Sequence, residues 1–143
     1  MYLFSGEFDI KLDGKGRVVL PAKIKNQIED KYIVAVRGFE PCLEFYVEEE
    51  WNKIIIKILS LNNFVEENRN LQRNIISRSV QLDMDSAGRV VLPQKLLDYA
   101  NINSEITLLG VGTKFEIWDR KKYSLYQIKS SEQLSKLAEK ILV

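Results

Sequence analysis

Apolar and polar residues alternate from Glu7 to Leu12, placing Phe8, Ile10 and Leu12 on one face of an extended chain and Glu7, Asp9 and Lys11 on the other. This predicts a half-buried strand, and Val80, Leu82 and Met84 predict another. Each is followed by a turn phrase, "DGKG" at 13–16 and "DSAG" at 85–88. The Asp can accept local backbone N–H bonds and the last Gly can take positive φ, as a tight hairpin turn requires. "RVVL" after each turn reads as the returning strand of that hairpin. Pro21 and Pro93 end sheet pairing and suit a helix start. In the short helices that follow, Ile24 and Ile28 share one face, and Leu96, Leu97 and Ala100 form an apolar side. A second hairpin closes each unit: "YIVAV" and "CLEFYV" flank "RGFEP", and "ITLLGV" and "KFEIW" flank a glycine.

The two units are copies. Shifting the chain by 72 positions pairs Asp13 with Asp85, Gly16 with Gly88, Arg17 with Arg89 and Pro21 with Pro93, and eight of the eleven residues from 13 to 23 are identical. The same offset continues without a gap to Gly38 with Gly110 and Glu44 with Glu116. Two copies at so long a period predict a pseudo-symmetric pair and not a solenoid. The expected organisation is one compact domain over 1–143, with repeat one at 5–51, connecting helices at 52–78, repeat two at 79–123 and a helical tail at 124–143. In the connecting helices, Trp51, Ile55, Ile58 and Leu59 form one stripe, and Phe64, Leu71 and Ile75 another. In the tail, Leu134, Leu137, Ala138 and Ile141 recur at helical spacing behind a capping box of Ser130 and Gln133. Each half alone is marginal in size, so the expectation is an α+β fold whose halves join into one barrel-like sheet.

Composition removes several functions. No His is present, which excludes Ser-His-Asp and Cys-His nucleophile systems and His metal ligation. Cys42 is the one cysteine, so no zinc site can be assembled around it, and its buried-strand surroundings suit a small core residue better than a nucleophile. "GKGR" lacks phosphate-loop spacing, and "GVGTKF" opens no helix. Asp13 and Asp85 as paired acid and base have a simpler explanation in turn capping. No catalytic residue, metal, cofactor or small-molecule substrate is therefore expected. The N-terminus has no basic start with an apolar run, and no stretch is apolar enough to span a membrane, so a cytoplasmic protein is expected.

With 45% apolar and 29% charged residues and a net charge of +1, the chain is an ordinary globular one, and any nucleic-acid contact must be local. One local candidate exists. From Lys11 to Lys25, five cations (Lys11, Lys15, Arg17, Lys23, Lys25) face one Asp13, a balance of +4, whereas the aligned Asp83 to Leu97 sets Arg89 and Lys95 against Asp83 and Asp85, a balance of zero. A twisted two-stranded ribbon fits the DNA major groove, where Arg or Lys can take guanine O6 and N7 while neighbouring lysines hold phosphates. The candidate DNA-binding residues are Lys11, Asp13, Gly14, Lys15, Gly16, Arg17 and Lys23, with Arg89 from copy two. Copy one reads as the DNA reader and copy two as its brace. The plainer alternative is that Arg17 and Arg89 simply pair with Asp13 and Asp85 across their turns.

The doubled D-x-x-G-R-V-x-[IL]-P turn, "RGFEPCLEFYVEEEW" and "LLGVGTKFEIWD" resemble the MraZ family of bacterial transcriptional regulators, over most of the chain from about Phe4 to Tyr126. The resemblance implies a double-split β-barrel of AbrB-like type, built from two β-hairpin/helix/β-hairpin repeats with additional amphipathic helices. It implies a homo-oligomeric ring, associated with the nucleoid, that recognises short direct repeats of double-stranded DNA in the promoter of the division and cell-wall gene cluster. It places recognition on Asp13 and Arg17 with Lys15 between them, and on Asp85 and Arg89. Ser86 and Ala87 depart from Gly14 and Lys15 in the second turn. Two other readings stand beside it. One is an oligomeric scaffold that recruits a protein through Trp51 or the C-terminal helix. The other is an AbrB-type antitoxin, which the second copy and the folded-looking tail disfavour.

Overall fold

The computed structural model describes residues 3–143. Copy one consists of β1 (Phe4–Lys11), β2 (Arg17–Val19), α1 (Ala22–Lys25), β3 (Tyr32–Arg37) and β4 (Leu43–Tyr46). Helices α2 (Glu48–Leu59) and α3 (Glu66–Ile75) lead to copy two: β5 (Val80–Asp83), β6 (Arg89–Val91), α4 (Gln94–Tyr99), β7 (Glu105–Gly112) and β8 (Phe115–Asp119). Helices α5 (Arg120–Tyr126) and α6 (Ser131–Leu142) follow. The fold is α+β, with a six-stranded antiparallel sheet ordered β1-β7-β8-β4-β3-β5 and a separate ribbon of β2 with β6.

The turns form as expected, but the strands on either side of them pair mainly elsewhere, a single antiparallel bridge of Met84 with Val90 being what remains of the hairpin in copy two. Strand β1 pairs with β7 of the other copy over eight residues, β5 pairs with β3, and β2 pairs with β6. The first hairpin expected in each copy is therefore corrected to a turn whose flanking strands join two different sheets. Length accounts for this, since three residues of β2 could match only part of the eight in β1, whereas β7 matches it throughout. Among the ladders of named strands in the described residues, β3–β4 and β7–β8 stay within a copy, beside the single Met84–Val90 bridge.

A pseudo-two-fold axis is visible in the pairing. Val18 faces Val90 in the ribbon and Glu44 faces Glu116 in β4–β8, so in both places a residue lies opposite its own equivalent. Between those points the ungapped alignment slips. Leu43 pairs with Arg37 across a five-residue loop, whereas Phe115 pairs with Gly110 across four residues. Ile33 and Ala35 thus take the core positions of Ile106 and Leu108, an offset of 73, and Gly38 is not the structural counterpart of Gly110. Gly110 has its own requirement: a Cβ there would lie 2.3 Å from the Ser5 nitrogen, so β1 can approach β7 closely only at glycine.

The main core lies between sheet and ribbon, drawing Val18, Leu20 and Ile24 of copy one together with Val90, Leu92 and Leu96 of copy two. At its centre Phe115 stacks on Phe45 at 5.0 Å and meets Phe4 edge-on at 5.4 Å. Helix α2 covers the opposite face of β3 and β4, where Trp51 packs with Val34, Val36 and Tyr46. Its expected stripe is borne out at Trp51, Ile58 and half-buried Ile55, while Leu59 is exposed. Of the second expected stripe only Ile75 is packed, because Leu71 on α3 and Phe64 before it are exposed. Helix α6 starts as expected, with the Ser130 hydroxyl accepting from the Gln133 N–H at 3.3 Å, but it buries no residue. Among the described residues no helix is long and apolar enough to cross a membrane.

Candidate nucleic-acid interface

Each turn is wired by its aspartate. Asp13 Oδ1 accepts from the backbone N–H groups of Lys15 and Arg17, both at 2.9 Å, and Oδ2 accepts from Arg17 Nε at 2.5 Å. Asp85 repeats the arrangement with the N–H groups of Ala87 and Arg89 at 2.9 Å and Arg89 Nε at 2.7 Å. Gly16 (φ 75°) and Gly88 (φ 78°) supply the left-handed residue that closes each turn. The plain reading, Arg paired with Asp across the turn, is therefore correct geometry for both copies. Only Nε of each arginine is engaged, and among the described residues neither arginine's terminal nitrogens make a hydrogen bond. These are the donors that a guanine edge can take.

These bonds hold the Asp13 carboxyl at about 2, well below its ordinary 3.8, mainly through the Arg17 backbone N–H and then its guanidinium. Asp85 is lowered by the same two groups of Arg89. A carboxyl depressed on folding contributes stability that is fully present above the unfolded value near 4 and is lost as pH falls through the folded value. Acid titration of Asp13→Asn is accordingly expected to show a flatter loss of stability between about pH 4 and pH 2 than the parent chain shows. Two superimposable acid limbs would refute this role.

The ribbon brings both arginines to one surface. Along β2, Val18 points into the core and Arg17 and Val19 point outward; along β6, Val90 points in and Arg89 and Val91 out. Arg17 lies opposite Val91 and Arg89 opposite Val19, and the strand rise separates the two arginines by about 7 Å along the ribbon. Val19 and Val91 are 53% and 54% exposed. They went unnoticed in the sequence, where "RVVL" reads as uniformly apolar, although strict alternation from buried Val18 would have turned both outward. Turn one sits at one end of this ribbon and turn two at the other, tied by Leu92 N–H to Gly16 O at 3.0 Å and Leu20 N–H to Gly88 O at 2.9 Å. Turn one also forms one wall of a cleft of about 520 Å³ shared with Val91, Pro93, Gln94 and Asn103.

Not every candidate residue gathers here. Asp13, Gly14, Lys15, Gly16 and Arg17 form turn one, and Arg89 shares the ribbon with them. Lys11 ends β1 opposite Glu105. Lys23 is elsewhere, its ammonium within reach of Gly6 near the start of β1. Lys25, which the count along the chain assigned to turn one, lies on turn two, with Nζ donating to Ser86 O at 3.0 Å.

The other cluster of ionisable groups lies where the pseudo-axis passes between β4 and β8. The Cys42 thiol and the Glu44 and Glu116 carboxylates come within 4.8 Å of one another. A cation already sits between the two glutamates: Lys114 Nζ is 3.0 Å from Glu44 and 3.7 Å from Glu116. Tyr46 donates to Glu44 at 2.8 Å and Trp118 Nε1 to Glu116 at 2.9 Å. Burial pushes the Cys42 thiol up and keeps it protonated, as befits a packed core residue. Lys114→Met would leave two facing carboxylates uncompensated, and we expect a loss of about 2 kcal/mol in denaturant melts after allowing for the lysine's partial exposure. Unchanged stability would show that Tyr46 and Trp118 suffice.

Comparison with known proteins shows what the chain is similar to. A family model described as "MraZ protein, putative antitoxin-like" matches twice, at residues 3–74 and 75–143. A relative from Cytophaga hutchinsonii named "Transcriptional regulator MraZ" is 41% identical over 145 aligned residues, covering 99% of this chain and 96% of the relative. A second of the same name, from Mesoplasma florum, is 39% identical and covers 97% and 95%. A solution structure of a protein from Pyrococcus horikoshii matches 78% of this chain and 94% of its own, with 16% identity and a TM-score of 0.35.

Proposed function

We propose that this chain, which belongs to the MraZ family, is a transcriptional regulator and not an enzyme, and that it acts by binding duplex DNA through the outer face of the β2–β6 ribbon and turn one. The observation that carries this reading is the pair of partly exposed Arg17 and exposed Arg89, each gripped at Nε by a turn aspartate while its terminal nitrogens make no hydrogen bond. A guanidinium fixed in this way loses little side-chain entropy on meeting a guanine edge. Val19 and Val91 beside the arginines offer apolar contact to thymine methyl groups. Lys15 and the ribbon ends serve the phosphates, which position the ribbon without reading sequence.

One ribbon with so few cations binds weakly and loses affinity quickly with salt. Several ribbons on a homo-oligomeric ring would grip successive short direct repeats in a promoter, and such linkage raises avidity roughly 10² to 10⁴ without any new contact. Direct repeats about one helical turn apart would present the same groove face to neighbouring subunits. The site would lie upstream of division and cell-wall genes, and the protein would work in the cytoplasm at the nucleoid.

The test is retention on a column bearing the duplex from its own upstream region, with sizing by light scattering. Retention that falls steeply with salt and exceeds that on scrambled duplex supports the reading. Equal, salt-insensitive passage through both columns would leave the scaffold reading, in which the exposed helices recruit a protein.

A further inference from the structure

The charge asymmetry along the chain disappears in three dimensions. Turn two has Ala87 where turn one has Lys15, so by sequence it lacks the phosphate-holding cation. Lys25 of copy one supplies one: its methylene stem lies over Gly88, where a Cβ would come within 2.6 Å of Lys25 Cδ, and its ammonium rests on the Ser86 carbonyl at 3.0 Å. The pseudo-equivalent position under turn one is Leu97, an apolar prop whose Cδ1 lies 3.7 Å from a Cβ built on Gly16. Each end of the ribbon therefore carries two cations against one carboxylate: Lys15 and Arg17 with Asp13 at one end, Lys25 and Arg89 with Asp85 at the other.

We propose that Lys25 is a DNA-contact residue, donated by copy one to the turn of copy two, so that turn two is a second backbone clamp and not a brace. The proposal rests on the DNA-binding reading above and adds to it. An ammonium has three donors, and the Ser86 carbonyl takes one, leaving two for a phosphate at the ribbon's far end. The contact spans 61 residues of chain, so no local pattern announces it.

Lys25→Met keeps the stem over Gly88 and removes only the charge. For the full-length chain on its upstream duplex, this variant is expected to bind several-fold more weakly on specific and scrambled sequence alike. Its plot of log affinity against log salt should be shallower by about one unit per subunit, a change of about 3.5-fold between 50 and 200 mM salt. Lys25→Arg should restore the slope, and the melting temperature of all three proteins should agree. Lys15→Met is the reference, because it removes the matching cation of turn one. If Lys15→Met flattens the slope and Lys25→Met does not, the clamp at turn two is refuted while DNA binding stands. If Lys25→Met lowers affinity at unchanged slope and also lowers the melting temperature, Lys25 is a structural prop and the proposal fails. If neither lysine nor Arg17 alters binding, the DNA-binding reading itself falls.

Discussion

Arg17→Ala is expected to lower affinity for the upstream duplex by about 1–3 kcal/mol per subunit, the worth of one bidentate guanine contact. Because every subunit of a ring would lose that contact, the effect should compound, and gel shifts should pass from a discrete complex to none over the same concentration range. The fold should survive. Arg17 is partly exposed, its ion pair with Asp13 is a surface pair of small net worth, and the core side of the ribbon is carried by Val18, which the variant leaves in place. The discriminating readout is specificity. Arg17→Ala should narrow the gap between specific and scrambled duplex, whereas loss of Lys15 should weaken both alike. A variant that folds, assembles and still shifts its operator at the parent concentration would remove Arg17 from the interface.

Much of this site could be read in the chain, and the reasons are local. Asp13 and Gly16 specify their turn through bonds within five residues, so "DGKG" is sufficient to announce it. Alternation placed Phe8, Leu12 and Leu82 against the core correctly, since burial of one strand face is written at period two. The strand partners were not legible. Pairing β1 with β7 joins Lys11 to Glu105 across the whole domain, and the same residues could have closed a hairpin on paper. The one-residue slip at Ile33 was hidden for a related reason. Gly38 and Gly110 align in sequence, yet each is glycine for its own reason: a Cβ at Gly110 would strike the β1 backbone at Ser5, and one at Gly38 would strike Cys42 across its own loop. Summing charge along Lys11 to Lys25 mistook adjacency in the chain for adjacency in space, and Lys23 and Lys25 both leave turn one. The exposed side of α6 has no packing partner that would reveal its role.

The crossed pairing also predicts where the protein is most easily broken. Phe115 belongs to copy two but is fully buried between Phe45 and Phe4 of copy one. Phe115→Ala removes a stacked and an edge-on aromatic contact and leaves a cavity at the seam of the two copies, a loss of about 3–5 kcal/mol. That is a large share of the 5–15 kcal/mol typical of a whole domain. No local repair is available, because the strands that would close the gap, β4 and β8, pair through Phe45 and Phe115 themselves. Denaturant melts should show one transition moved far to lower concentration, with the halves failing together, since β1 has its partner β7, β2 its partner β6 and β3 its partner β5 in opposite copies. Two separated transitions, one per repeat, would contradict this: they would mean that a half retaining only its β3–β4 or β7–β8 hairpin can hold a core alone, which an isolated hairpin ordinarily cannot.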